Sequence, residues 1–447
     1  MFNYSHYTPK HFLVLILGGF FTLYLLTIGG ELYSSDAQAM YETGRALAFQ
    51  QSLFLPESYG LPQIYQTSAG RWVSQYDLGL PLLAAPLIWS SDGLGAWQAW
   101  NRYAFSAYLL AYLPALASAA GLAWTADLAQ ELGAGRRETL WMILAAGLAS
   151  PVWVYGRQFF AEGVLVGCLV GAVWSIHRGG YWGAGLALGL GIAIRLHFIL
   201  YLPIFLYYAW RVRGGGWKLL AGPLLALSLL AYHNFLRHGE PFQLSYPGQG
   251  FSTAPWYGVL GLLLSPDKSL FLFCPPLLLS FYAWPAFWRQ HRVLAEMLLL
   301  MSLGGLVFFG AWWAWGGGWC WGPRFLVPLY PLWCLPLAWL EGKKWPLGGL
   351  ILLGMGFNIL GILSNVNAHY ARFMLDYDPF RQSALLGALH TLRAGQVESF
   401  GTWHLAGLGW PPGLATIYPL FCLCIGLLCG WQLVRWYRDG QTANDPT

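Results

Sequence analysis

The chain has 447 residues, 57% hydrophobic and 17% aromatic, with only 10% charged and a formal net charge of +5. A mean hydropathy of +0.48, with apolar runs of about 20 residues recurring from end to end, excludes an ordinary soluble domain. No basic stripe with interleaved aromatics appears, which argues against a nucleic-acid partner.

Inside lipid every backbone polar group must pair within its own segment or in a closed barrel. The apolar runs are continuous rather than alternating, so helices are expected. The fold class is therefore an all-α polytopic membrane protein. Spans are predicted near 12–29, 101–126, 139–155, 160–176, 182–194, 196–210, 217–236, 270–287, 293–313, 325–340, 346–363 and 413–434. Residues 12–29 run apolar without a small-residue cleavage site and read as a retained first span. With the N-terminus inside, every inner loop carries at least one Lys or Arg, which sets both termini inside and gives about twelve spans. Three outer loops are then long: 30–100, 237–269 and 364–412. Two modules are expected, 1–236 with the first outer loop and 237–447 with the other two.

In chain order, residues 33–49 read as a helix lying near the membrane surface. Ser35 followed by Gln38 has the spacing of a capping box, which places Asp36 at the first helical position. There the helix dipole and free N–H groups favour its anion. A capping role accounts for Asp36 locally as well as a reactive one does. "GRWVSQYDLGLPLLAAPL" then supplies Arg71, Tyr76 and Asp77 before 78–89, a short proline-bearing segment read as re-entrant or juxtamembrane. Glu162 lies in "GRQFFAEG". Arg195 lies within "GLGIAIRLHFIL", where it either snorkels at a helix end or faces a cavity. Lys268 in "SPDKS" has Asp267 beside it as a surface partner. Arg324 ends "GGGWCWGPR", whose glycines either let backbone N–H groups approach an anion or form a flexible turn between interfacial tryptophans.

The cysteines offer no disulfide framework, since only Cys320 falls in an outer loop. No metal motif occurs: Cys422 and Cys424 lack a nearby His or carboxylate, and His197, His233, His369 and His404 match no ligand spacing.

Seven stretches in order carry a resemblance over about residues 28–340: "SSDAQAMYETGRAL", "GRWVSQYDLGLPLLAAPL", "ELGAGRRETLWMILAAGLASPVWVYGRQFFAEG", "IAIRLHF", "YHNFLRHGEPF", "LLLSPDKSLFLFCPPLLL" and "GGWCWGPRFLVPLYPL". Together they resemble the GT-C superfamily of glycosyltransferases, which includes protein O-mannosyltransferases and the lipid A aminoarabinose transferase. The resemblance implies about twelve helices with juxtamembrane helices in the first outer loop. It also implies inverting transfer of a sugar from a polyprenyl-phosphate donor to an acceptor hydroxyl outside the cytosol. Asp36 occupies the position of the base or acceptor orienter. Two departures stand out: Ala37 replaces a frequent acidic residue, and Asp77 stands where Pro or Gly is usual, which makes it a candidate second carboxylate.

A departing lipid phosphate needs cations, and an arginine fork suits it. The candidates are Arg195, Arg324, Lys268 and Arg71, with Glu162 and Tyr76 as supporting groups. They are expected to face Asp36 across a pocket. No metal or other cofactor is expected, because Arg and Lys can hold the phosphate. The acceptor could be a lipid, a glycan or a protein, and residues 364–412, with Arg372, Asp376, Asp378 and Arg381, are placed to meet it. The implied location is a bacterial inner membrane with the site on its periplasmic or extracellular face. A transporter or lipid flippase is the alternative, in which Arg195 and Glu162 mark a substrate path; a non-catalytic lipid-handling scaffold is a further one.

Overall fold

A computed structural model describes residues 10–29, 31–98, 102–243, 246, 248–342, 344–373, 377–398, 400–407 and 410–442. Asp376 lies outside them. The apolar runs become helices: α1 (Lys10–Leu26), α2 (Ser35–Gln50), α3 (Gly79–Gln98), α4 (Arg102–Leu110), α5 (Tyr112–Glu131), α6 (Arg136–Leu148) and α7 (Val152–Gly156). They continue as α8 (Ala161–His177), α9 (Tyr181–Ile194), α10 (Leu202–Arg211), α11 (Ala221–His238), α12 (Pro255–Leu264), α13 (Leu270–Phe273) and α14 (Leu277–Gln290). The last are α15 (Arg292–Ala311), α16 (Tyr330–Cys334), α17 (Lys344–Leu363), α18 (Val366–Tyr370), α19 (Ala384–Arg393) and α20 (Pro412–Thr442). The described sheet is one antiparallel hairpin, β1 (Ile64–Gln66) with β2 (Trp72–Ser74), in which Tyr65 faces Val73.

Among the described residues five helical stretches are long and apolar enough to cross a membrane: Tyr103–Glu131, Gly216–His238, Arg292–Ala311, Trp345–Leu363 and Pro412–Arg438. Four shorter apolar helices accompany them. This is an integral, all-α membrane protein.

The centre of the bundle is α5 packed on α8 and flanked by α1 and α9. Gly163, Gly167 and Gly171 recur every fourth residue on α8. A Cβ on Gly163 would stand 2.5 Å from the Tyr155 carbonyl oxygen, and one on Gly167 2.8 Å from that of Ala117. A small-residue stripe of this kind lets helix backbones approach closely where lipid supplies no hydrophobic drive. The first and last described helices meet: α20 lies along α1, with Phe12 stacked on Trp436 at 3.9 Å.

Several expected spans are broken. Residues 139–155 divide at Ser150 and Pro151 between α6 and α7. Residues 270–287 divide at Pro275 and Pro276. Residues 196–210 begin as a 3-10 turn, Leu196–Tyr201, and 325–340 alternates 3-10 turns with the single turn of α16. Pro328, Pro331 and Pro336 each remove an N–H donor, so a regular helix cannot run through that segment. Conversely, 78–89, read as re-entrant or juxtamembrane, is part of a longer element. Helix α3 runs 20 residues through Pro86, and its far end is tied by the Ser91 and Ser106 hydroxyls, 2.5 Å apart.

Candidate active site

The first turn of α2 is set by Ser34, not Ser35. The Ser34 Oγ accepts from the Ala37 N–H at 3.0 Å, and Gln38 reaches back instead to the Leu32 carbonyl at 3.4 Å. Asp36 is thus the second helical residue, and with Ser34 as the cap its carboxylate is free for other partners. The capping-box spacing singles out Ser35, but either serine can accept from the third N–H beyond it, and the entry path of the chain makes Ser34 the cap.

Those partners come from distant elements. Arg324 leaves the glycine-rich loop that precedes the 3-10 turn Arg324–Leu329, and its Nη1 donates to Asp36 Oδ2 at 2.9 Å. Its Nε lies 3.4 Å from Oε1 of Glu162, in the first turn of α8. Glu162 Oε2 and Arg324 Nε are buried and, among the described residues, make no hydrogen bond beyond that ion pair. The β1–β2 hairpin delivers Gln63, which donates to Asp36 Oδ1 at 3.1 Å and to Ser35 Oγ at 2.7 Å, and Tyr76, whose hydroxyl lies within hydrogen-bonding reach of Asp36.

Arg195 ends α9 and is buried, so it does not snorkel. Its guanidinium sits 4.4 Å from the centre of the Tyr76 ring, and the Tyr246 hydroxyl lies within reach. Among the described residues it forms no ion pair within 4.0 Å. Burial works to raise the Asp36 carboxyl, but Arg324, Arg195 and Tyr76 outweigh it and hold the group below its ordinary value. Burial pushes the Tyr76 phenol well up, and the Asp36 charge adds to this, so Tyr76 stays protonated as a donor.

Asp77, one residue on, faces elsewhere. Its Oδ2 accepts from the Leu196 N–H at 2.8 Å. Burial raises it to about 6 against the lowering effects of that N–H, Arg195 and Arg237. It joins the end of α9 to the start of α3, where a Cβ on Gly79 would stand 2.5 Å from the Ala193 backbone.

The structure thus brings Asp36, Arg324, Glu162, Arg195 and Tyr76 together, with Asp77 behind Arg195. Asp36 and Arg324 meet directly rather than across a gap, because two buried opposite charges are costly to hold apart. Lys268 and Arg71 do not join them. Lys268 is fully buried rather than a surface partner of Asp267. Its Nζ lies 3.1 Å from Asp267 Oδ2 and donates to the carbonyls of Cys320 at 2.7 Å and Gly318 at 3.2 Å and to the Tyr370 hydroxyl at 3.0 Å. It braces the loop that presents Arg324. Arg71 lies over the Phe54 ring at 3.8 Å and donates to the Leu236 carbonyl at 3.4 Å. Gln63 and Tyr246 carry no sequence signal and were found only through the fold. Among the described residues no group of three His, Cys, Asp or Glu side chains could hold a metal ion.

No family model matches the chain, and no curated protein matches it in sequence. Two solved structures do match in fold. ArnT from Cupriavidus metallidurans in the apo state aligns over 95% of this chain and 75% of its own, at 16% identity and a TM-score of 0.54. ArnT from the same organism bound to undecaprenyl phosphate aligns over 98% of this chain and 79% of its own, with the same identity and TM-score. The architecture expected from the seven sequence stretches is therefore the observed one: this chain has the GT-C fold of ArnT.

Proposed function

We propose that this protein is an inverting glycosyltransferase of the bacterial inner membrane. It moves a sugar from a polyprenyl-phosphate donor to an acceptor hydroxyl on the periplasmic or extracellular face. The observation that carries the reading is the buried ion pair of Asp36 with Arg324, flanked by Arg195, at the head of a helix in the first outer loop. The undecaprenyl phosphate bound to ArnT in one neighbouring structure supports a lipid of that class as the carrier.

In the reaction the acceptor oxygen bonds to the anomeric carbon while the bond from that carbon to the phosphate oxygen breaks. The hydroxyl proton passes to Asp36, and the polyprenyl phosphate leaves with the bonding pair. Negative charge grows on the phosphate, where Arg195 and Arg324 supply two cations. Positive character grows on the sugar, where Asp36 and Glu162 supply carboxylates. Asp36, held below its ordinary value, is a weak base, so it takes the proton late, once the hydroxyl is already bonding to carbon.

Purified protein in lipid nanodiscs is expected to consume a polyprenyl-phosphate sugar. The Asp36→Asn variant is expected to lose activity by a factor of about 10²–10⁴ while remaining monodisperse. Equal turnover by wild type and Asp36→Asn rejects the catalytic role. Uptake into sealed vesicles that survives Asp36→Asn assigns the chain to transport instead.

A further inference from the structure

Gln63 stands at the open end of the β1–β2 hairpin, where its carbonyl accepts from the Gln75 N–H at 2.9 Å. Its side-chain nitrogen uses both N–H groups, one on Asp36 Oδ1 at 3.1 Å and one on Ser35 Oγ at 2.7 Å. Its side-chain oxygen is buried and, among the described residues, accepts no hydrogen bond. The charge of Asp36 sets this orientation, because the reverse one puts the amide oxygen against the carboxylate. The two oxygens of Asp36 are not equivalent. Oδ2 accepts from the Arg324 guanidinium, whereas Oδ1 accepts from the neutral Gln63 amide. The cation makes Oδ2 the less basic of the two, so an incoming proton settles on Oδ1. An amide nitrogen cannot accept from the resulting O–H, but an amide oxygen can. The end torsion of glutamine is broad and roughly two-fold, so exchanging the two atoms requires no other movement. Ser35 permits the exchange as well, since its hydroxyl either accepts or donates.

We propose that Gln63 is a positioning residue whose amide donates to the Asp36 carboxylate before sugar transfer and, turned half round, accepts from the Asp36 carboxylic acid after it. This rests on the transferase reading. The acceptor proton moves to Oδ1 as the acceptor oxygen bonds to the anomeric carbon, and the turn itself forms and breaks no covalent bond. Turning strands the N–H groups where the oxygen was sealed in, a less favourable arrangement than an unpaired carbonyl oxygen. The amide therefore swings back when Asp36 gives up its proton, and the carboxylate is restored for the next acceptor. The other ionisable groups that act on Asp36 are Arg324, Arg195 at the end of α9, Tyr76 after the hairpin, Glu162 on α8 and Tyr246 after α11. Of these Arg324, which holds Oδ2, can only donate, so it cannot take the place of Gln63 on the protonated oxygen.

The test uses the full chain in lipid nanodiscs. Gln63→Met has a similar length and makes neither hydrogen bond, so kcat is expected to fall at least about tenfold. The donor KM and the affinity for undecaprenyl phosphate should stay within about twofold, because the lost contact is to Asp36 and not to the phosphate-binding arginines. An unchanged kcat overturns the proposal. So does weakened lipid-phosphate binding, which would mean that the hairpin had loosened and carried Tyr76 away from Arg195. Gln63→Lys donates but cannot accept, and its kcat is expected to fall as well; a wild-type kcat in that variant shows that donation suffices and overturns the turn. Gln63→Glu sets two carboxyl groups side by side, which then share one proton near pH 7. The infrared band of a protonated carboxyl is expected there in that variant and is expected to vanish when Asp36→Asn is added; its absence overturns the pairing. A Gln63→Glu protein that shows the band, with a wild type that consumes no polyprenyl-phosphate sugar, leaves Gln63 paired with Asp36 but removes the transferase reading and the turn with it.

Discussion

Two neighbouring carboxylates show how much a single side chain's setting decides. Asp36 and Asp77 are both buried, but Asp36 has Arg324 in direct contact and stays ionised, whereas Asp77 has one backbone N–H and more distant cations and is raised to about 6. The consequence for Asp77 has a definite sign. Its folded value lies above the unfolded one of 3.8, so its contribution to stability is fully present below about pH 4 and is lost as pH rises through 6. Asp77→Asn keeps an acceptor for the Leu196 N–H and removes the titration. It is expected to raise stability near pH 7, relative to wild type, by at most about 3 kcal/mol, with little gain at pH 4. Thermal unfolding across pH 4–8 measures this; a gain independent of pH disproves the assignment. Activity near pH 6 should lose an inflection in the same variant if Asp77 shares the proton work, and should not if Asp36 acts alone.

At the scale of elements, the loop between α15 and the turn bearing Arg324 is held from outside itself. Gly317, Gly318 and Gly322 adopt positive φ, so the loop has little rigidity of its own. Its carbonyls are gripped by Lys268, and Lys268 is balanced by Asp267, to which the Tyr377 hydroxyl donates at 2.5 Å and the Tyr370 hydroxyl at 3.0 Å. This buried network joins the segment bearing Tyr370 and Tyr377 to the loop that presents Arg324. Lys268→Met removes one partner of a buried pair and is expected to cost about 3–5 kcal/mol and to weaken lipid-phosphate binding. Tyr377→Phe removes one hydrogen bond and is expected to cost about 1–3 kcal/mol. Arg381→Ala, at an exposed pair with Asp378, should cost no more than about 1 kcal/mol. Denaturation midpoints of the three variants test that order; a Lys268→Met protein as stable as Arg381→Ala would mean the network does not brace the loop.

For the whole molecule, the decisive question is which side of the membrane the Asp36 cluster faces. The elements that build it, namely the heads of α2 and α8, the tail of α9 and the loop after α15, gather at one end of the bundle. From the basic residues of the short loops between spans, the opposite end is expected to face the cytosol. A membrane-impermeant maleimide applied to intact cells should therefore label Glu57→Cys, in the first outer loop, above the background of the native cysteines. Arg213→Cys, between α10 and α11, should react only after permeabilisation. The reverse pattern inverts the topology and puts the site in the cytosol.

Composition and apolar run length by themselves determined that this chain is a helical membrane protein, because the cost of burying a backbone in lipid is met within each segment. The helix bearing Asp36 was legible too, from its capping spacing, although the cap is Ser34 and not Ser35. The small-residue stripe of α8 was present in the sequence as Gly163, Gly167 and Gly171 and marks a close backbone approach at the centre of the bundle. Only the tertiary structure decided which charges meet. Arg324 and Asp36 are 288 residues apart, Gln63 reaches Asp36 through a hairpin, and Lys268, which reads locally as a surface residue, is sealed in by Tyr370 more than a hundred residues later. The energy of a buried charge depends on its nearest partners in space, and those are set by how helices pack rather than by neighbours along the chain.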